Sequence, residues 1–388
     1  MINKRLIEKC QEMICTPGES GKEKQVAYLL QKSMKELHYD QVWIDDWGNV
    51  IGKIAGQGSF NLLFQGHMDT VGVENKKSWQ YPPYGGVIRN GNLYGRGSSD
   101  MKSALNAMVM AGSEFVSRKG KLKGNIFVAG VVNEEIFEGV AQGRVLDQVN
   151  PNLVILGESS DLKLCTGQKG RAEIKIITYG KTAHSANPDK GINAVKNMMR
   201  LLNALENIDL PADDCMGKAI LELTDIHSYP YPGRSVIPAK CMATFDRRLL
   251  PGETEEDVIA PIKREIEKIS RENHHFAADV HIVEAQGQCY TGKSFSAKRF
   301  FPGWLFNNKE TFIQKALKSL KDKGFSDQVS YYSFCTDGSQ SAGARDMPTI
   351  GFGPSQERLA HICDEYIEIS QITAAYQAYI ALIEAFLM

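Results

Sequence analysis

The chain has 388 residues, 43% hydrophobic and 23% charged, the make-up of a folded globular protein with room for two domains. Its formal net charge of −1 and the lack of any long block of one sign exclude an electrostatic footprint for nucleic acid or an anionic membrane, so small-molecule partners are expected. Charge breaks every apolar stretch of the opening MINKRLIEKCQEMICTPGES, no run is long enough to span a bilayer, and the eight cysteines form no C-x-x-C pair; a cytoplasmic protein with free thiols is expected.

The first 37 residues read as two helices around the turn TPGESG, with Leu29, Leu30 and Leu37 at roughly helical spacing. VWIDDWGNVIGKI reads as a hairpin turning at Trp47-Gly48-Asn49, and FNLLFQGHMDTV as a buried strand ending at Gly66. A helix over 100–118, the strand IFVAGVV, a helix over 138–148 and the strand NLVILGE follow. This alternation predicts an α/β domain whose mainly parallel sheet is flanked by helices.

Near residue 171 the rhythm changes. RAEIKIITYG, KAILELTDI and CMATFDRRL alternate apolar and polar residues, while GINAVKNMMRLLNALENI and TEEDVIAPIKREIEKI are amphipathic at helical period. With DVHIVEA this gives a β-α-β-β-α-β order, the pattern of a small ferredoxin-like α+β sandwich. From about residue 292 the first style resumes through QVSYYSF and MPTIGFG to a closing helix over 366–387. The expected organisation is a discontinuous domain, 1–174 with 290–388, carrying an inserted domain at 175–289.

In open α/β sheets ligands bind beyond the C-terminal ends of strands, and the chemically suggestive residues lie there. His67 and Asp69 follow LLFQG, Asp100 closes YGRGSSD before a helix, Glu134 and Glu135 follow IFVAGVVN, Glu158 follows LVILG, and His361 lies in RLAHICDE after TIGFGPS. Singly, each has a bland reading, an N-cap for Asp100 and a structural histidine for His67. Together they form a mixed nitrogen and oxygen donor set suited to zinc or a similar divalent ion, and large enough for two ions sharing one carboxylate. Asp69, two residues after His67, is placed to receive the second N–H of a ligating imidazole. GRGSSDMKS lacks the spacing of a phosphate-binding loop, and GESSD lacks the final glycine of a nucleophile elbow. A nucleotide-dependent transferase and a serine hydrolase are thereby disfavoured, and a purely binding protein would need a missing ligand or base.

In order, GHMDTV, GRGSSDMKSAL, NEE, GES, GKTAHSANPDKGINAV and AHICDE resemble the two-zinc amidohydrolases and peptidases that include acetylornithine deacetylase, succinyl-diaminopimelate desuccinylase and carboxypeptidase G. GQKGRAEIKI, FDRRLLPGET, CYTG and TIGFGP look most like a YgeY-type branch. The resemblance implies a zinc-peptidase-like catalytic domain with an inserted lid and dimerisation domain, two Zn²⁺ (Co²⁺ or Mn²⁺ being alternatives), and a homodimer. His67 and Glu158 would hold one ion, Glu135 and His361 the other, and Asp100 both. Glu134 would be the general base that activates water against an amide carbonyl and returns the proton to the leaving amine. His184 would stabilise the oxyanion in the partner subunit's site, while Asn193 and Arg248 would bind a substrate carboxylate. The implied substrate is an N-acyl amino acid, or else a dipeptide-like amide cleaved by a dipeptidase or carboxypeptidase. Ser159 and Ser103 stand where relatives often have Pro and Gly.

Overall fold

The computed structural model describes residues 2–388, with side chains from residue 4 onward. The chain divides into two compact units, the first formed by Met1–Gln168, Gln286–Phe295 and Leu305–Met388, the second by Lys169–Ala285 and Ser296–Trp304. The brief return at Ser296–Trp304 left no mark in the sequence pattern, because its pieces are too short to show a period.

The first unit has eight principal strands: β1 Gln41–Ile44, β2 Val50–Ile54, β3 Phe60–His67, β4 Gly124–Val131, β5 Leu153–Leu156, β6 Leu164–Gln168, β7 Val329–Tyr332 and β8 Thr349–Gly351. They lie in the order β1-β2-β4-β3-β5-β8-β6, with β7 also pairing β6. The block β4-β3-β5-β8 is parallel throughout, and the β1–β2 hairpin joins it antiparallel. That hairpin closes on Asp45, whose Oδ1 accepts from the main-chain N–H groups of Trp47, Gly48 and Asn49, an Asx-type turn. The helices are α1 Ile2–Ile14, α2 Lys24–Glu36, α3 Lys102–Ser113, α4 Val140–Val149, α5 Thr311–Asp322 and α6 Ile369–Leu387.

Strand β3 is a continuous apolar run because both its faces are covered: Leu62, Leu63 and Phe64 are wholly buried. Beside it α3 is buried from Lys102 to Gly112, which its small, apolar sequence permits. The fit is close, since a Cβ at Gly66 would come within 2.5 Å of Met101 Cε. Two helix ends differ from expectation. The helix expected over 100–118 ends at Ser113 and gives way to a 3₁₀ turn at Val116–Lys121. The closing helix starts at Ile369, because Tyr366–Glu368 is a strand paired with Asn92–Tyr94.

In the second unit the strands Ile220–Tyr229, Lys240–Leu249, Gly170–Tyr179 and Ala277–Ile282 form one sheet in that order, antiparallel throughout. The helices Ala194–Leu205 and Glu255–Glu272 supply Ala194, Met198, Leu201, Val258 and Ile262 to a core shared with Ala172, Ile174 and Ile176. Their helical spacing meets the two-residue alternation of the strands, which makes an α+β sandwich. A capping box between Thr254 and Asp257 starts the second helix. Among the described residues, no helix is long and apolar enough to cross a membrane.

Candidate metal centre

Strand register brings the acidic residues together. β3 pairs with β4 so that His67 faces Val131, and with β5 so that Gln65 faces Leu156. All three strands therefore leave the sheet at one edge: β3 ends on His67, β4 runs on into Asn133-Glu134-Glu135, and β5 into Glu158. Asp100 precedes α3, and His361 comes from the loop after β8.

His67 Nε2 lies 3.0 Å from Asp100 Oδ1, 3.8 Å from Glu158 Oε1 and 3.9 Å from Glu134 Oε2. The other oxygen of Asp100 lies 3.1 Å from His361 Nε2, which is 2.9 Å from Glu135 Oε2. One ligand atom each from His67, Glu134 and Glu158, and likewise from His67, Asp100 and Glu135, fall within 4.8 Å of one another. His67, Glu134 and Glu158 are buried, Asp100 and Glu135 half-buried, and His361 exposed. Four carboxyls against two imidazoles at such depth call for cations, and imidazole nitrogen mixed with carboxylate oxygen is the donor chemistry of zinc and neighbouring divalent ions. The residues fit a metal.

Burial and the nearby His67, Asp337 and Glu158 act on Glu134, and burial prevails to raise its pKa well above the ordinary carboxyl value. Burial raises Glu158 in the same way. Burial would lower His67, but Glu134, Asp100 and Glu158 outweigh it and push the imidazole well above its usual value. Hydrogen bonds to Asp100 and Glu135 push His361 up to about 10. Asp100 is held well below the carboxylate range, since its bonds to both imidazoles outweigh its burial.

The surrounding shell departs from expectation at Asp69. His67 Nδ1 bonds the main-chain carbonyl of Asp69 at 3.0 Å, whereas the Asp69 carboxylate lies 3.7 Å away. That carboxylate accepts instead from the N–H of Glu134 (3.1 Å), the N–H of Glu135 (3.1 Å) and the hydroxyl of Ser20 (2.7 Å). The orienting acceptor for the imidazole is therefore backbone, and the side chain of Asp69 fixes the glutamate pair.

Three further buried acids escaped the sequence reading. Glu365 accepts from the N–H groups of Ser99 (2.8 Å) and Asp100 (3.2 Å) and from Arg96 Nη1 (2.7 Å), which sets the Asp100 loop. Asp337 accepts from Gly139 N–H at 2.6 Å and from the Gln65 amide, so it ties the end of the NEEIFEG turn to β3; burial pushes its carboxyl up to about 7. Glu23 accepts from the N–H of Asn133 at 3.0 Å. Only Glu365, which closes the quoted AHICDE, stood in a motif. Ser159 donates to the carbonyl of Ser99 at 3.2 Å and so links the Glu158 loop to the Asp100 loop.

His184, Asn193 and Arg248 lie in the second unit. His184 is exposed, and its Nδ1 accepts from Ala186 N–H at 3.0 Å, which leaves the neutral ring's hydrogen on Nε2. Asn193 is the N-cap of its helix: Oδ1 accepts from Val195 and Lys196 N–H, so its amide nitrogen is the group left for a ligand. Arg248 Nε lies 2.8 Å from Asp246 Oδ1, and its cross-strand partner Arg171 places Nε 2.7 Å from Asp246 Oδ2.

The model of peptidase family M20/M25/M40 matches residues 63–385. The YgeY protein of Escherichia coli (strain K12) is 31% identical over 378 residues, covering 96% of this chain and 92% of that one. An acetylornithine deacetylase of Buchnera aphidicola (strain Tuc7) is 26% identical over 81% of this chain and 77% of its own. Among solved structures, aminopeptidase PepT of Bacillus cereus superposes with a TM-score of 0.76 at 20% identity, covering 99% of this chain and 98% of its own. A dinuclear metal-binding M20 peptidase of Bacillus subtilis superposes with a TM-score of 0.71 at 14% identity, covering 100% and 99%. Both share the fold.

Proposed function

Because the chain belongs to peptidase family M20/M25/M40 and is similar to proteins that include an acetylornithine deacetylase and a dinuclear metal-binding peptidase, we propose that it cleaves the amide bond of a small N-acyl amino acid or peptide-like substrate bearing a free carboxylate. Asp100 carries the reading: its two oxygens face two separate imidazoles at 3.0 and 3.1 Å, the placement of a carboxylate shared by two ions. His67 and Glu158 would hold one ion, Glu135 and His361 the other, with Asp100 between them. Zinc suits the set, with cobalt or manganese as alternatives. Bound there, the ions would supply Lewis acidity toward a water and the substrate carbonyl.

The remaining steps belong to side chains. Glu134 would take the water's proton on its carboxylate and deliver it to the leaving nitrogen. Its main-chain N–H is held by Asp69, so the base is fixed by a buried neighbour. His184, with hydrogen on Nε2, would donate to the oxyanion in the partner subunit's site. Arg248, steadied by Asp246, and the amide nitrogen of Asn193 would bind the substrate carboxylate.

A homodimer through the second unit would complete the site. Strand Ile220–Tyr229 supports it, being a sheet edge with Ile220, Leu223, Ile226 and Tyr229 exposed, which a soluble protein normally covers. Eight free cysteines fit a reducing cytoplasm.

The test is a hydrolysis panel on metal-loaded protein with N-acetyl, N-succinyl and N-carbamoyl amino acids and dipeptides. Chelator-sensitive cleavage of at least one is expected. Cleavage of dipeptides alone selects the dipeptidase or carboxypeptidase reading, and no cleavage by protein shown to hold its ions would overturn the proposal.

A further inference from the structure

The turn TPGESG looks in sequence like a plain helix-to-helix connection, yet it lies against the catalytic edge. Gly18 carbonyl accepts from Thr70 N–H at 2.9 Å, and Glu19 bridges Thr70, so the loop runs beside the chain leaving β3. Thr16 carbonyl accepts from the wholly buried Lys102 Nζ at 2.8 Å. Two side chains then turn inward. Ser20 Oγ donates to Asp69 Oδ2 at 2.7 Å, and Glu23 Oε1 accepts from Gly21 N–H at 2.8 Å and Asn133 N–H at 3.0 Å.

Glu23 holds the N-cap position of α2, where a side chain would ordinarily accept from the helix's own first N–H groups. It makes no such bond. Its carboxyl is instead wholly buried against residue 133, and Oε2 has no partner among the described residues. Burying an acid this way is costly, and helix capping does not account for it. What it achieves is visible at the receiving end. Asn133 sits in the left-handed region with φ 56°, and from it three consecutive N–H groups are taken by carboxylates: Asn133 by Glu23, Glu134 and Glu135 by Asp69. With these donors engaged, the backbone carrying Glu134 and Glu135 has one orientation, and a base must be placed to within a fraction of an ångström.

We propose that the loop 16–23 is a positioning element of the active site, in which Glu23 clamps Asn133 directly and Ser20 steadies Asp69, so that together they aim Glu134. Neither residue touches the reacting atoms, and the assignment rests on Glu134 being the base.

Glu23→Gln keeps an acceptor oxygen toward Asn133, whereas Glu23→Leu removes it and Ser20→Ala frees one side of Asp69. Expected are a kcat for Glu23→Gln within about threefold of wild type, and losses of about tenfold or more for Glu23→Leu and a few-fold for Ser20→Ala, each with KM and bound metal unchanged. Hydrogen exchange reads the clamp without any activity: the amides of residues 133–135 should exchange about tenfold faster in Glu23→Leu than in Glu23→Gln. If Glu23→Leu fails to fold, Ser20→Ala decides alone, and in it the Glu134 and Glu135 amides should still exchange faster. Wild-type exchange and kcat in these variants, losses that track metal content, or equal damage from Gln and Leu would overturn the proposal. A wild type without chelator-sensitive hydrolysis would sink the functional reading, and the exchange experiment would still judge the clamp.

Discussion

Asp69→Asn separates two ways in which an acid beside a ligating histidine can act. The wild-type carboxylate is wholly buried and accepts three hydrogen bonds, from Glu134 N–H, Glu135 N–H and Ser20 Oγ, while staying 3.7 Å from His67 Nδ1. In the amide variant one acceptor becomes a donor. If the NH₂ replaces Oδ1, it opposes Glu134 N–H; if it replaces Oδ2, it opposes Glu135 N–H. Either way at least one bond to a charged acceptor is lost, worth about 1.5–3 kcal/mol, and two donors are left facing each other in a buried site. Allowing about 3 kcal/mol for the displaced turn, kcat should fall roughly 100-fold. The imidazole keeps its bond to the Asp69 carbonyl, so metal content should persist. Steady-state kinetics paired with metal analysis of the same sample reads both. A kcat within threefold of wild type would refute the reasoning, and so would a loss that restored metal repairs.

Asp100→Ala removes the carboxylate facing both imidazoles, so elemental analysis should find one ion or fewer per chain instead of about two; an unchanged count would remove Asp100 as the shared ligand. Metal loading should release protons, because the ligand Glu158 is raised by burial, the ligand His67 is raised by the carboxylates around it, and the ligand His361, raised to about 10 by Asp100 and Glu135, holds its proton at neutral pH. Ligands must be deprotonated to bind, so affinity should weaken as pH falls, and a calorimetric enthalpy independent of buffer ionisation would contradict this. Mixing Glu134→Ala with His184→Ala under conditions of subunit exchange should regain activity in hybrid dimers; no recovery despite proven exchange would make the site self-contained.

Three of the segments that the sequence made legible share one property: His67, the glutamate pair and Glu158 each stand where a marked apolar run stops. LLFQG before His67, IFVAGVV before the glutamates and LVILG before Glu158 are strands of a parallel block, and a parallel register necessarily aligns their ends. The supports had no such marker. Glu23 bonds residue 133, Asp337 bonds residue 139 and Glu365 bonds residue 99, across separations of 110, 198 and 266 residues, and no local pattern encodes a contact at that range. Asp69 shows the other limit. Spacing put an acid two residues after His67, but could not tell which of its oxygens, main-chain or side-chain, would meet the ring. Short strands such as Tyr366–Glu368 were invisible for a simpler reason, since three residues cannot display a period.

The central claim is that Glu134 is the base of a metal-dependent amide hydrolase. Its most direct test is Glu134→Gln, metal-loaded and compared with wild type on whichever panel substrate wild type cleaves, with bound metal counted in both. The account predicts about two ions per chain in each protein, hydrolysis by wild type that chelation abolishes and metal restores, and a kcat lowered by about 10²-fold or more in the variant. Full activity in Glu134→Gln with its ions in place would contradict it.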